Sequence, residues 1–320
     1  MSTGGATANQ RFARDVGPSD LVHVVGGGTN ATFGGTPDAM SRPVVAPSGI
    51  VEFTADEMIV RVGAGTPVVE LAHALAEHGQ MVALPGSGPA TVGGALAVGR
   101  SGLFQVGYGL VRDTLLEAQY VTPTGQLLQA GAPVVKNVSG FDLCRLLVGS
   151  LGTIGLMAEV VLRTRPLPPA SQWLSGPLTP ADILTIVTRP SSLVATSTSA
   201  YVCVEGNGTD VERLSAALQQ RGMVESSGPP DVATRRRRTT VMGHETAGLA
   251  SNEIALPLTG VVFLDPDTND LDDRPLLAPG VEALNRSVRA SFDPTLRFNR
   301  GRQPWRSASP RRGHTSHAPH

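Results

Sequence analysis

Three glycine-rich loops, each set against an apolar strand or helix pattern, constrain this chain more than any other feature. They are Gly26-Gly27-Gly28, Gly93-Gly94 and the run Gly149-Ser150-Leu151-Gly152-Thr153-Ile154-Gly155. Glycine lets one backbone pass close to another, or to a ligand, with no Cβ in the way, and it does so at an entropic cost. Loops of this kind, spaced by regular elements, point to a fold that binds through backbone amides more than through charged side chains.

The first loop follows the apolar run 21–25, which reads as a buried strand. Gly26-Gly27-Gly28-Thr29-Asn30-Ala31 formally fits G-x-G-x-x-A, but a Rossmann unit also needs a helix immediately afterwards. Phe33-Gly34-Gly35-Thr36-Pro37 follows instead and cannot propagate one. No Gly-Lys-Ser/Thr occurs, which removes a P-loop. Two readings stay open: an ordinary turn, or a nest of successive N–H groups for an anion, helped by the Thr29 hydroxyl and Asn30 amide. In the second loop Thr91-Val92-Gly93-Gly94-Ala95 opens a helix over 92–98. Its start offers unpaired N–H groups to a phosphate, or its glycines serve tight packing of helix on strand. In the third, Asp142 caps a short helix over 141–148 that Gly149 ends. Gly152 and Gly155 there allow a flat ring to lie against a strand over 153–163.

Elsewhere, 50–53 and 58–62 read as a strand pair. Thr66 reads as an N-cap with Pro67 at the first helical position, Val68, Leu71, Ala72 and Leu75 as the inner face, and Gly79 as the stop. Strands are expected at 115–121 and 127–129, and Pro166, Pro168 and Pro169 mark a boundary. Beyond it, helices over 182–189 and 211–221, a strand over 201–205 and a hairpin of 253–258 with 260–264 are expected. The segments 235–238 and 265–273 read as loops, and the chain after Gly301 reads as disordered.

Composition narrows the function classes. A net charge of −1 gives no general pull toward nucleic acid or anionic lipid. Arg235 to Arg238 and the eight arginines of 284–320 lack aromatic interleaving, so nucleic-acid binding is not expected. The two cysteines, Cys144 and Cys203, form neither a disulfide framework nor a metal-ligand pattern. No run nears the roughly 18 apolar residues of a membrane span, and 1–20 holds no apolar core of a secretory signal. A cytoplasmic protein is expected. Lys136 is the single lysine among 26 basic residues, a sign of need for a compact ammonium or of chance in an arginine-rich composition.

The ordered segments GGGTN at 26–30, TVGGALA at 91–97, and Lys136 to Leu143 continuing into VGSLGTIGLMAEVVL at 148–162 resemble the FAD-binding domain of the vanillyl-alcohol-oxidase/PCMH superfamily. In detail they are similar to the FAD-binding E subunits of bacterial glycolate oxidases. Those subunits also have the Gly65-Thr66-Pro67 step, a segment like Gly79 to Val82 and a C-terminal stretch like Phe292-Asp293-Pro294 with Phe298 to Arg302. The resemblance implies an α+β fold: a PCMH-type FAD-binding domain of two α+β subdomains with a shortened C-terminal cap. The boundaries it implies are a flexible N-terminus at 1–19, the FAD-binding domain at 20–168, a cap with its return to that domain at 169–302, and a disordered tail at 303–320. It implies that Gly26, Gly27, Gly28, Thr29 and Asn30 cradle the pyrophosphate, and that Thr91, Val92, Gly93, Gly94 and Gly102 line the flavin and diphosphate. Gly109 and Asp113 would lie near the isoalloxazine or ribityl, and Gly140, Asp142 and Ile154 near the adenosine. FAD would be non-covalent, because the first loop lacks the histidine that some relatives carry; His23 precedes it on the strand.

The implied function is the FAD-binding subunit of a glycolate-oxidase-like complex, oxidising a 2-hydroxy acid such as glycolate or D-lactate. Its implied partners are a second FAD-linked subunit and an iron–sulfur subunit, with the complex peripheral at the inner face of the cell membrane. Such chemistry needs a cation for the carboxylate and a base for the hydroxyl proton. The cap segment 166–320 holds nothing like the family's HxGDGNxH stretch, and His244 stands alone, so no catalytic residue is assigned. Arg300 also stands where the family has proline. A non-catalytic assembly subunit, a partly decayed copy and another FAD-linked oxidase, such as a D-lactate dehydrogenase or an alditol oxidase, all stay open.

Overall fold

The computed structural model describes residues 3–132, 142–230, 232, 236–239, 249–264 and 277–305, with backbone alone for 3–7 and 236–239. Lys136, Gly140, His244 and the segment 265–273 lie outside the described residues.

The first half contains a small parallel pair and a five-stranded antiparallel sheet. Val22–Val24 pairs with Arg42–Val44, and Phe298 bridges to Val22 from the far end of the chain. The larger sheet runs in the order Ile50–Thr54, Ile59–Gly63, Leu156–Arg163, Leu115–Val121, Leu127–Gly131. Its middle strand, Leu156–Arg163, is buried at every position but the last, which is why it reads as a continuous apolar run. Glu159 sits in that run and is tolerated because Arg61 reaches it at 3.1 Å and Glu117 at 2.8 Å. The expected strand pair at 50–62 is present, joined by one 3₁₀ turn at Ala55–Glu57.

The segment 1–19 is not a flexible N-terminus. Thr3–Val16 is a helix whose Phe12 and Val16 enter the core of the first half. Asn9, 2% exposed, donates to Gln119 and to Glu159 at 3.0 Å each. Each such buried apolar side chain contributes roughly 1.5–3 kcal/mol, enough to hold a helix of weak intrinsic propensity. Thr66 does not cap the following helix, Val68–Ala76, where Pro67 holds the cap position. Its hydroxyl is instead committed to the carbonyl of Gly63 and the amide of Gly49.

The second half is more regular than its sequence suggests. A seven-stranded antiparallel sheet runs Val224–Ser226, Ala170–Gly176, Ala200–Gly206, Ser192–Ala195, Ile254–Leu256, Val261–Leu264, Arg236–Thr239. Arg236–Thr239 is therefore a strand, paired from Arg236 with Leu264 to Thr239 with Val261, and not a loop, while Arg235 lies outside the described residues. An edge strand needs only a backbone ladder, and a run of charged residues suits an edge. Helices Pro180–Ile186 and Gly208–Gln219 cover one face over Leu174, Ile183, Val202 and Leu218. The opposite face, around Val194, Ile254, Val261 and Phe263, packs Leu103 of the first half.

The C-terminal return closes the first half. Asp293, fully buried, accepts from the amides of Arg297 and Phe298. The Arg297 guanidinium donates to the carbonyls of Val16, Gly17, Asp20 and Pro123. The tail is ordered past residue 302: Gln303 donates to Gly34 at 2.7 Å, and Trp305 is 6% exposed. Residues 306–320 lie outside the described residues.

Candidate functional site

The three glycine loops meet at one cavity, which shares lining residues with a second, and the two together are called the slot. A cavity of about 390 Å³ is lined by Gly26 to Ala31, by Thr91, Gly93 and Gly94, by Gly152 and Gly155, and by Asn299 and Arg302. A second, of about 460 Å³, runs from Met81–Ser87 past Arg100, Gly102, Phe104, Tyr108 and Gly109 to Val232 and Phe263 of the cap. Thr29, Asn30 and Val98 line both, so the two are compartments of one slot.

The first loop is fixed by close backbone approach. A Cβ on Gly27 would lie 1.6 Å from the carbonyl oxygen of Pro89, and one on Gly26 would lie 2.7 Å from Thr91 Oγ1. These contacts press the first loop onto the segment that opens the second. Gly28 has φ +75°, in the left-handed region. Among the described residues, the amides of Gly26, Gly27, Gly28, Thr29 and Asn30 donate no hydrogen bond, and the loop borders the slot. Five successive free N–H groups leave the loop open to an anion, while the amides of Ala31 and Phe33 close turns onto the carbonyls of Gly28 and Asn30.

The second loop works differently from the expectation. The N–H groups that open Val92–Val98 are already used: Val92 donates to Thr66 at 2.9 Å, Gly93 to Ala64 at 2.7 Å and Gly94 to Thr91 Oγ1 at 3.2 Å. This helix start offers no spare amide for a phosphate. Gly93 is required by packing, since a Cβ there would meet Ala64 O at 2.8 Å and Ala64 Cβ at 2.9 Å. The packing reading holds for Gly93, whereas Gly94 borders the slot with only Thr91 Oγ1 nearby.

The third loop is bound to the C-terminal return. Asn299 Nδ2 donates to Gly152 O at 2.9 Å, and its Oδ1 accepts from Val24 N at 3.2 Å. One side chain thus joins the strand before the first loop to the third loop. Gly155 does face a flat ring, but it is the protein's own Tyr120, 2.7 Å from where a Cβ would sit.

Of the residues carried over by resemblance, Gly26, Gly27, Gly28, Thr29, Asn30, Thr91, Gly93, Gly94, Gly102 and Gly109 line the slot. Val92, Asp113, Asp142 and Ile154 do not. Val92 and Ile154 are core residues, 0% and 6% exposed. Asp142 caps Leu143–Leu147 by accepting from Arg145 N, and Arg145 pairs with both Asp142 at 3.0 Å and Asp113 at 3.3 Å. Both carboxylates are committed to one guanidinium away from the slot, so neither stands where the resemblance implied, Asp113 near the isoalloxazine or ribityl and Asp142 near the adenosine. His23 lines the slot, and its Nδ1 is hydrogen-bonded to Ser41 Oγ at 2.9 Å, a structural role.

Polar slot residues without a role in the sequence analysis include Asn299, Arg302, Arg100 and Tyr108. The first two belong to the C-terminal stretch whose resemblance was visible without a role attached. Tyr108 donates to Glu205 Oε2 of the cap at 2.6 Å, stacks on Phe104 at 5.0 Å, and lies under Arg165 at 4.2 Å. Burial and then Glu205 raise its pKa, so it stays a neutral donor. Arg100 lies over the Phe33 ring at 3.9 Å.

Residues 14–131 match the family described as FAD binding domain. The cofactor is FAD. The chain is also similar in sequence to glycolate oxidase subunit GlcE of Escherichia coli (strain K12), 37% identical over 154 residues, 46% of this chain and 43% of that protein. D-2-hydroxyglutarate dehydrogenase of Xanthomonas citri pv. viticola is 31% identical over 180 residues, 55% of this chain and 38% of its own. D-lactate dehydrogenase of Archaeoglobus fulgidus is 32% identical over 147 residues, 45% and 33% respectively. The chain spans less than half the length of these curated relatives. Solved structures of alkyldihydroxyacetonephosphate synthase share the fold, with a TM-score of 0.67 at 15% identity over 91% of this chain and 73% of theirs. That likeness runs through the cap as well as the FAD half.

Proposed function

We propose that the chain is an FAD-dependent oxidoreductase subunit that acts on a small 2-hydroxy acid and yields the 2-oxo acid. The observation that carries the reading is the slot itself: a nest of free amides at 26–30 in one compartment, continuous with an aromatic compartment that ends under the cap. Three relatives in sequence bear names of 2-hydroxy-acid enzymes.

In this reading the amides of 26–30 hold the diphosphate non-covalently, and the 151–157 side of the same compartment takes the adenosine. Gly102 and Gly109 border the end where the isoalloxazine lies. Bound FAD supplies hydride acceptance from the donor carbon. Phe104, Tyr108 and Phe263 keep water from that end, and Tyr108 Oη, held by Glu205, fixes the helical turn Gln105–Tyr108 against the cap. GlcE shares its enzyme name with GlcD of Bacillus subtilis, a second relative. We place this chain in a complex of that kind, with an iron–sulfur subunit receiving the electrons. Among the described residues no group of His, Cys, Asp or Glu is placed to hold a metal, so any such centre belongs on another chain. No described helix is long and apolar enough to cross a membrane.

One observation favours a second reading, a non-catalytic subunit with an FAD fold. The described cap residues that line the slot, Val232 and Phe263, are both apolar, and neither can bind a carboxylate or take a proton. Anaerobic addition of glycolate or D-lactate to the FAD-loaded chain separates the two. Bleaching of the flavin absorbance, alone or with the partner subunits, supports the catalytic reading. An unchanged spectrum with the complex assembled supports the second.

A further inference from the structure

Arg302 stands apart from the other arginines near the slot. It lies outside residues 14–131, the span that matches the FAD binding domain family. It is the one arginine among the described residues that line the 26–30 compartment. Its Nη2 donates to the carbonyl of Ala31 at 2.6 Å, which places the guanidinium beside the first loop. Its Nε is buried and finds no acceptor. Among the described residues no carboxylate is paired with it, in contrast to Arg300, which pairs with Asp38 at 3.5 Å, and Arg42, which pairs with Asp15 at 3.1 Å. Burial alone pushes its pKa down. A half-buried guanidinium with no counter-charge carries a desolvation cost that an arriving anion would offset.

We infer that Arg302 is a phosphate ligand of the bound dinucleotide, closing the anion nest of residues 26–30 from the C-terminal side. This rests on the proposed binding of FAD in the slot. The five amides supply directed partial charge, and the guanidinium supplies the full positive charge and the planar fork that suits phosphate oxygens. The Ala31 carbonyl holds that fork at the loop, and Asn299, three residues earlier, anchors the same stretch to Gly152. Cofactor binding therefore also draws the C-terminal return onto the FAD half. The chain would grip the diphosphate with two segments nearly its whole length apart.

The test uses the full chain stripped of cofactor. FAD is titrated by flavin fluorescence at two ionic strengths, with Arg302→Met and Arg302→Lys beside the unsubstituted chain, and melting is followed with and without inorganic pyrophosphate. Charged hydrogen bonds of this kind set the expected scale: Arg302→Met weakens FAD binding by about ten- to a hundredfold, and Arg302→Lys recovers part of the loss. Salt weakens FAD binding less in Arg302→Met than in the unsubstituted chain. Pyrophosphate raises the melting temperature of the unsubstituted chain and not that of Arg302→Met. Equal FAD affinity and equal salt dependence in Arg302→Met overturn the inference. Should that variant not fold, pyrophosphate at millimolar concentration decides on the unsubstituted chain: a raised melting temperature supports the inference and none overturns it. An unsubstituted chain that binds no FAD at all overturns the reading beneath it instead.

Discussion

The two halves of this molecule use their residues in opposite ways. In the FAD half, the positions that matter are mostly glycines whose places are dictated by backbone: Gly27 against Pro89, Gly93 against Ala64, Gly26 against Thr91. In the cap, side chains fill a two-sided core around Leu174 and Phe263, and only Val232 and Phe263 reach the slot among the described residues. The difference teaches where each part of the function is written. Cofactor binding depends on chain path, which tolerates few substitutions. In the proposed function, substrate handling would depend on side chains, which the described cap residues lining the slot do not supply.

The sharpest way to break that contrast is Gly27→Ala. A Cβ 1.6 Å from a carbonyl oxygen cannot be accommodated without moving one of the two loops. We expect FAD binding to fall by more than about a hundredfold, since a contact of that kind belongs to the class of severe destabilisations. Flavin retained per chain after gel filtration measures it, and near-normal retention would show that the loop is adaptable. Next in size is Arg61→Met, which strands Glu117 and Glu159, 3% and 4% exposed, without their cation. Breaking a buried pair in this way costs about 3–5 kcal/mol, read by urea denaturation. A loss below about 1 kcal/mol would mean that Asn9 and water satisfy the carboxylates.

Asp142→Ala tests the comparison from the other side. The carboxylate caps an exposed helix, so its loss costs about 1 kcal/mol of stability. FAD affinity stays unchanged, because Asp142 is turned to Arg145 and not to the slot. A fall in affinity would restore the role that the resemblance implied. Tyr108→Phe removes the one hydrogen bond that this residue makes to the cap, at about 1 kcal/mol, with the cap half expected to melt at lower temperature.

A further effect is in pH, confined to the alkaline range. Burial raises the thiols of Cys144 and Cys203 to about 11 from an ordinary 9.0. The folded chain then holds those protons more tightly than the unfolded one. Their contribution is complete below pH 9 and is lost as pH rises from 9 to 11. Thiol alkylation of the native chain at pH 8 is accordingly slow, and fast labelling without loss of structure would contradict the buried placement.

Much of this was legible in the sequence, and the failures have causes. The helix 92–98 and the strand 115–121 could be read from periodicity and glycine punctuation, because local pattern and final structure agree there. The helix Thr3–Val16 could not. Its sequence carries two adjacent glycines and no acidic first turn, and it is held by tertiary packing of Phe12 and Val16. The strand 236–239 was hidden because four arginines carry no strand alternation, while an edge position asks only for backbone pairing. In the site, glycine clusters announced close approach but not its partner. Whether Gly93 met a phosphate or Ala64 depends on the turn that follows Ile59–Gly63, far from it in sequence. Arg302 and Asn299 reach the slot only through a return across the whole chain, which no local window contains.

The central claim is that the slot recognises a dinucleotide through the amides at 26–30. Equilibrium titration of the cofactor-free chain with FAD, ADP and riboflavin addresses it directly. The account predicts one FAD bound per chain, ADP competing with it and riboflavin, which has no phosphate, competing far more weakly. Riboflavin binding as well as FAD, or ADP failing to compete, would contradict it.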